Sequence, residues 1–306
     1  MSVKSFIIPR IASKMLSVKT RDKKRTQFEY TRIKKGEEHI VEFFHDPSDP
    51  YSQLLEKILP AFTKRYKINL LKQLVGPPNP GAAPEMKKLA EYSKMDTMRL
   101  AKKAGIDFKI EERTAAVNTT AADTRREKLG HYLGGTLYYG GEWYWGLDRL
   151  HYLEERLMDM GLRHGGNGRD FIYAPPQSPA GLGRTNTDLH WYLSFRSPYT
   201  AIVRDRVKSL ADAYGADLKI RFVLPMVMRG LPVPKAKKKY ITLDTAREAR
   251  RHGVDFGRVL DPVGRPVELG YSLLPWARNH GREYEYVQGW LKAVWADGID
   301  AGSKSG

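Results

Sequence analysis

Trp191-Tyr-Leu-Ser-Phe-Arg-Ser-Pro-Tyr-Thr-Ala201 reads as a buried aromatic strand, a sharp turn and a helix that begins at Ser197-Pro198. Serine suits the residue before a helix, where its oxygen accepts unpaired backbone N–H groups, and proline suits the first position, which needs no N–H. An earlier stretch, Glu42-Phe-Phe-His-Asp-Pro-Ser-Asp-Pro-Tyr-Ser52, runs through the same order of strand, polar turn, Pro-Tyr and helix. Two such starts imply two copies of one fold. Any chemistry belongs at the helix start, where free N–H groups and the positive end of the helix dipole gather.

Working outward from Glu42, His39-Ile-Val-Glu-Phe-Phe-His45 reads as the first strand, and Asp49 as the cap of a helix with Pro50 at its first position. Tyr51, Leu54, Leu55, Ile58, Leu59 and Phe62 then give the stripe of a core-facing helix. A second strand at 68–75 closes a β-α-β unit, which requires parallel strands and a right-handed crossover. Residues 84–103 and 123–129 read as inserted helices, 136–139 and 142–145 as a hairpin around Gly140-Gly141, and 147–158 as a closing helix. That order is thioredoxin-like. Gly, Pro, Ser and Asn dominate 161–187, the expected linker. Its Gly165-Gly-Asn-Gly168 lacks the Gly-Lys-Ser/Thr of a phosphate loop.

Outward from Trp191, the second copy predicts a helix to Ala213, a strand at 218–223, and helices at 237–251, 273–278 and 284–295, with no second hairpin before Gly306. The expected fold class is α/β: tandem thioredoxin-like domains with helical insertions, the second copy incomplete. The expected domains are a basic arm (1–36), a first domain (37–160), the linker (161–187) and a second, partial domain (188–306).

Composition bounds the chemistry. With 306 residues, 41% hydrophobic and 11% aromatic, the chain can bury real cores. It has no cysteine, which removes disulfides, thiolate metal sites and any protein thiol–disulfide cycle. No apolar run is long enough to span a bilayer, and the reading is of a cytoplasmic protein. Net charge is +17, and eleven of residues 1–35 are Lys or Arg against Asp22 and Glu29; a second cluster is Lys235-Ala-Lys-Lys-Lys239. Such fields attract nucleic acid, anionic lipid and acidic small molecules. Residues 1–18 read as an amphipathic helix, docked on its own domain or resting on a membrane surface, and 19–36 as a charged tether.

Ser197-Pro198-Tyr199 after an aromatic strand resembles the start of 2-hydroxychromene-2-carboxylate isomerases and kappa-class glutathione transferases, of the DsbA-like branch of the thioredoxin superfamily. Arg229-Gly-Leu-Pro-Val-Pro-Lys235, Lys239-Tyr240, Asp244 and Arg247 resemble that family's helical insert. Gly140-Gly-Glu-Trp-Tyr-Trp-Gly-Leu-Asp-Arg-Leu150 is similar to its closing segment, and Tyr92-Ser-Lys-Met-Asp96 with Leu100-Ala fits its helical region loosely. The resemblance implies a glutathione cofactor and a small conjugated, aromatic acid as substrate, with isomerisation favoured over transfer. Ser197 is then the catalytic residue that holds the glutathione sulfur, with Arg196, Pro198, Tyr199, Gly135, Asp148 and Arg149 as the cofactor-binding candidates. Two residues depart from the family pattern. Asp49 stands where the first copy would need a hydroxyl, and Gly135 stands where a proline is expected before the third strand.

Each candidate also has a plain structural reading. Ser197-Pro198 is an ordinary helix cap, Asp148-Arg149 a structural ion pair, and Trp143, Tyr144 and Trp145 hairpin core. The eight histidines show no metal-ligand spacing, so no metal is expected. His45-Asp46 near Ser48 carries the residue types of a nucleophile and base, with adjacency in sequence alone behind it. Three functions stay open: a glutathione-dependent isomerase or transferase, a non-catalytic thioredoxin-fold binding protein, and nucleic-acid or anion association through the basic arm.

Overall fold

The computed structural model describes residues 3–166, 168–175, 183–304 and 306. The chain divides into two compact units. One comprises Lys23–Pro176 with Pro234–Tyr240, and is called here the Asp49 unit; the other comprises Met1–Asp22, Gln177–Val233 and Ile241–Gly306, the Ser197 unit. Parts of the expected linker, residues 167 and 176–182, lie outside the described residues.

The chain opens with two helices, α1 (Val3–Leu16) and α2 (Val18–Lys34). The second replaces the tether expected for 19–36. Its Lys, Arg, Gln and Glu residues are strong helix formers, and Arg25, Phe28, Glu29 and Arg32 fall on one face at helical spacing. In the Asp49 unit Arg25 forms a two-pronged ion pair with Glu142 at 2.6 and 2.8 Å. Glu29 accepts from the Tyr139 hydroxyl, and the Phe28 ring meets Tyr139 edge-on at 5.7 Å. A run too charged to bury whole is held by one anchored face.

The Asp49 unit then follows the expected path: β1 (Ile40–His45), α3 (Pro50–Arg65), β2 (Asn69–Leu74), α4 (Met86–Lys103), α5 (Thr120–Leu129), β3 (Thr136–Tyr139), β4 (Glu142–Trp145) and α6 (Leu150–Asp159). Its sheet has the order β2-β1-β3-β4, with β1 and β2 parallel and the other pairings antiparallel. This small mixed α/β sheet is consistent with a thioredoxin-like fold. Leu54, Leu55, Ile58, Leu59 and Phe62 bury the inner face of α3 as the spacing predicts, each such side chain contributing about 1.5–3 kcal/mol of transfer free energy. At the hairpin tip a side chain on Gly140 (φ +53°) would strike Arg156 and Phe28. The first part of the expected linker folds back on this unit. Leu162 and Ile172 pack against its core, Tyr173 is buried, and the wholly buried Glu154 takes the Tyr66 hydroxyl at 3.0 Å and the Ile172 N–H at 3.2 Å.

The Ser197 unit contains α1, β5 (Asp188–Leu193), α7 (Pro198–Tyr214), β6 (Asp217–Phe222), most of α8 (Lys235–Arg251), α9 (Arg265–Ser272), α10 (Leu274–Asn279) and α11 (Glu283–Lys292). A π-helical turn (Ala293–Asp297) extends α11. Among the described residues its sheet is the parallel pair β5-β6. Trp191 and Leu193 point to the core while Tyr192 stays 67% exposed, so β5 alternates where β1, buried at Val41 through His45, does not.

The two motifs keep one register. Ile40 pairs with Asn69 and Asp188 with Asp217. Adding 148 to Ile40, Pro50 and Asn69 gives Asp188, Pro198 and Asp217, the first residues of β5, α7 and β6.

Candidate functional site

The strand-to-helix corners put Asp49 and Ser197 at the starts of α3 and α7. In the Asp49 unit the Asp49 carboxylate caps α3, accepting the N–H groups of Tyr51 at 3.3 Å and Ser52 at 3.1 Å. Gly135 lies against this cap: a Cβ there would sit 3.2 Å from Asp49 Oδ2 and from the Ser52 nitrogen, at a φ of +64°. Its neighbour Gly134 is tighter still, because a Cβ would come 2.5 Å from the Asp46 Cβ. The glycine pair therefore lies directly on the helix start.

Burial sets the charge state of that corner. Desolvation, with the nearby Asp46 carboxylate adding, pushes the Asp49 carboxyl up to about 7 against the two N–H bonds that favour ionisation. Burial raises Asp46 as well, opposed by the Ser48 hydroxyl and N–H. His45 is nearly inaccessible, and burial brings it down to about 4. Its ring meets Ser52 at 2.8 Å, while Ser48 donates instead to Asp46 at 2.7 Å. The His45 imidazole thus bonds Ser52 of α3 and not Ser48, whose hydroxyl is held by the Asp46 carboxylate. Ser52, fully buried, offers no access to a substrate.

In the Ser197 unit a hydroxyl, and not a carboxylate, stands at the cap position. Ser197 Oγ accepts the Thr200 N–H at 3.3 Å, and the half-buried hydroxyl has no acceptor for its own proton among the described residues. Arg196 does not lend an open positive charge: Asp261 grips its guanidinium at 2.7 and 2.8 Å. Tyr199 donates to Asp244 at 2.7 Å, and Arg247 reaches the other oxygen of the same carboxylate at 2.5 Å.

Aromatic residues pin the turn before Ser197. Tyr271 accepts the Phe195 N–H at 3.0 Å and donates to the Val223 carbonyl at 2.9 Å. Trp295 donates its indole N–H to the Phe195 carbonyl at 2.9 Å, from the π-helical turn that brings the ring to that point. The Phe195 ring is stacked between Tyr271 at 4.7 Å and Trp290 at 4.0 Å. Both polar groups of a buried backbone unit are thus satisfied by side chains distant in sequence.

Ser197, Arg196, Pro198 and Tyr199 therefore share one turn of the Ser197 unit, whereas Gly135, Asp148 and Arg149 belong to the Asp49 unit. Arg149 pairs with Asp148 at 2.9 Å just after the hairpin. Trp143 and Tyr144 are buried in the hairpin. Sequence reasoning named Asp96 only within a helical match and missed that it takes the Tyr51 hydroxyl at 2.7 Å; it missed Asp261, Tyr271 and Trp295 altogether. Asp96 was within reach: Tyr51 to Asp96 and Tyr199 to Asp244 each span 45 residues. Among the described residues no three His, Asp or Glu side chains are grouped to hold a metal, and no helix is long and apolar enough to cross a membrane.

No family model and no curated protein matches the chain. A solved structure of a 2-hydroxychromene-2-carboxylate isomerase is similar to it at 25% identity, over 38% of this chain and 60% of that one, with a TM-score of 0.31. A superposition this loose assigns neither fold nor activity.

Proposed function

We propose that the chain is a tandem pair of thioredoxin-like domains in which the Ser197 unit binds a thiol, glutathione by resemblance, at the start of α7, and the Asp49 unit is a non-catalytic copy. The observation that carries the reading is the Ser197 hydroxyl. Its oxygen caps the helix while its proton stays available, so one group serves as cap acceptor and as donor to an anionic sulfur. The neighbouring N-terminal dipole favours the same charge. In the Asp49 unit a buried carboxylate occupies the equivalent position beneath Gly134 and Gly135, and an ionised carboxylate there repels a thiolate. The shared offset of 148 and the repeated Tyr-to-Asp bond support duplication.

Bound glutathione supplies a sulfur nucleophile able to add reversibly to a conjugated double bond of a small aromatic acid. The chain's own contribution is narrower: Ser197 holds the sulfur as thiolate, and the Phe195 turn, fixed by Tyr271 and Trp295, keeps Ser197 in place. The preference for isomerisation over transfer rests on the family resemblance alone.

Calorimetric titration of the full chain with glutathione and with S-methylglutathione tests the reading. Glutathione is expected to bind at millimolar concentration or below, with S-methylglutathione weaker. Ser197→Ala should weaken glutathione binding about tenfold, as loss of a charge-assisted hydrogen bond implies, and should raise the pKa of the bound thiol, read from thiolate absorbance. Absence of glutathione binding, or indifference to Ser197→Ala, overturns it in favour of the second reading, a non-catalytic binding protein. The sealed corner at Asp49 is the observation that favours that second reading.

A further inference from the structure

Helix α1 has two unlike faces. Through one it joins the Ser197 unit: Pro9 and Leu16 are buried, Pro9 lies against Gly298, Leu16 against Gly257, and the Leu16 carbonyl accepts from Arg250 at 3.0 Å. The opposite face is apolar and open. Ile7, Ile8, Ile11 and Met15 are 45%, 42%, 61% and 46% exposed, and their spacing of three, four, seven and eight residues makes them one continuous stripe. A docked surface helix normally shows the reverse, with its apolar stripe inward. Isolated exposed hydrophobics need no explanation, but a contiguous stripe does.

The charges beside the stripe narrow its partner. Arg10 is exposed, lies over the exposed Phe6 ring at 3.3 Å and donates to the Phe6 carbonyl at 2.8 Å. Lys14 follows one turn on, with exposed Val18 and Lys19 beyond it. No acidic residue precedes Asp22. A nucleic acid matches the cations but leaves the stripe in water. A second copy of the chain matches the stripe but sets cation against cation across a symmetric contact. An anionic bilayer surface matches both, since acyl chains accept the stripe and headgroup phosphates accept the cations.

We propose that the outer face of α1 binds the surface of membranes rich in anionic phospholipid. The helix lies in the plane of the interface, with Ile7, Ile8, Ile11 and Met15 at the acyl boundary and Arg10 and Lys14 among the headgroups.

The test is co-sedimentation of the full chain with phosphatidylcholine vesicles and with vesicles in which roughly a third of the lipid is phosphatidylglycerol. Binding is expected on the anionic vesicles alone, falling with added salt. Ile7→Glu with Ile11→Glu should reduce it at least about tenfold, by removing the apolar contact and adding repulsion. Both side chains face away from the docked side, so the thermal unfolding midpoint should hold. In a second arm, the emission that Ile11→Trp adds to that of the parent's six tryptophans, read as the difference spectrum, should shift to the blue on anionic vesicles. Equal binding to neutral vesicles, unchanged binding of the double variant, or a solvent-exposed Trp emission on bound vesicles overturns the proposal. So does displacement of the vesicles by an oligonucleotide at equal phosphate concentration, or an Ile11-dependent dimer in sedimentation without lipid.

Discussion

The Tyr199 hydroxyl donates to the Asp244 carboxylate at 2.7 Å, bridging the first turn of α7 to the middle of α8, and Tyr51 does the same to Asp96. Asp244 is buried, so the phenol helps to satisfy a carboxyl that would be costly to bury without partners. Tyr199→Phe should lower stability by about 1–2 kcal/mol, the scale for losing one bond to a partly shielded charge, and Tyr51→Phe by a similar amount. Urea unfolding followed by Trp fluorescence measures both. A negligible effect in one unit and a large one in the other counts against equivalent roles for the two bonds.

The glycine pair over Asp49 has no room for a side chain. Gly134→Ala places a methyl 2.5 Å from the Asp46 Cβ, an atom that cannot swing aside, and should cost about 1–3 kcal/mol. Gly135→Ala meets less crowding but must hold a left-handed backbone at φ +64°, for about 1–2 kcal/mol. Thermal unfolding should rank Gly134→Ala as the more damaging. Equal stability of Gly134→Ala and the parent protein shows that the loop stands off the helix.

Asp49 and His45 give the Asp49 unit opposite pH dependences. Folding raises Asp49 from 3.8 to about 7, so the folded state keeps a proton that the unfolded chain releases. The stability this group confers is full below about pH 4 and is lost as pH rises through 7. His45, lowered from 6.5 to about 4, confers stability that is full above about pH 6.5 and is lost as pH falls through 4. Asp49→Asn should therefore gain stability relative to the parent at pH 8 and lose that advantage by pH 4.5. Comparing variant with parent also cancels the buried Glu154, which titrates in the same range. A pH-independent difference refutes the assignment.

Trp295→Phe keeps the ring contact with the core but removes the donor to the Phe195 carbonyl. The orphaned buried acceptor should cost about 1–3 kcal/mol. If Ser197 holds a thiolate, the loosened turn should also weaken glutathione binding more than it weakens the fold. Binding unchanged in a destabilised variant separates the turn from the site.

The strands, the two caps and the α3 stripe were legible because each is local: alternation, a polar residue before proline, and apolar residues three and four apart. The units' polar wiring was not. Tyr51 reaches Asp96 and Trp295 reaches Phe195 through the fold, and no short-range pattern reports such pairs. The helical α2 escaped notice for a related reason, since its charge suggested solvent while its anchoring partners, Tyr139 and Glu142, lie far along the chain. At the candidate site, Ser197 was identifiable as a cap, but whether its proton was committed elsewhere depended on three-dimensional neighbours. The charge expected of Arg196 was cancelled by Asp261, equally invisible at a separation of 65 residues.

The docking of α1 carries a consequence for biogenesis. Its buried Leu16 bonds through its carbonyl to Arg250 across 234 residues, and buried Pro9 lies against Gly298. During synthesis the Asp49 unit has nearly all of its chain available while α1 still lacks its berth, so the apolar helix must wait on the ribosome side of assembly for the last helices to emerge. The Ser197 unit is therefore complete only when α1 and the segment around Gly298 are both present. Nascent chains arrested before Gly298 should retain a protease-sensitive α1, and completion of the α11 turn should be the event that protects it.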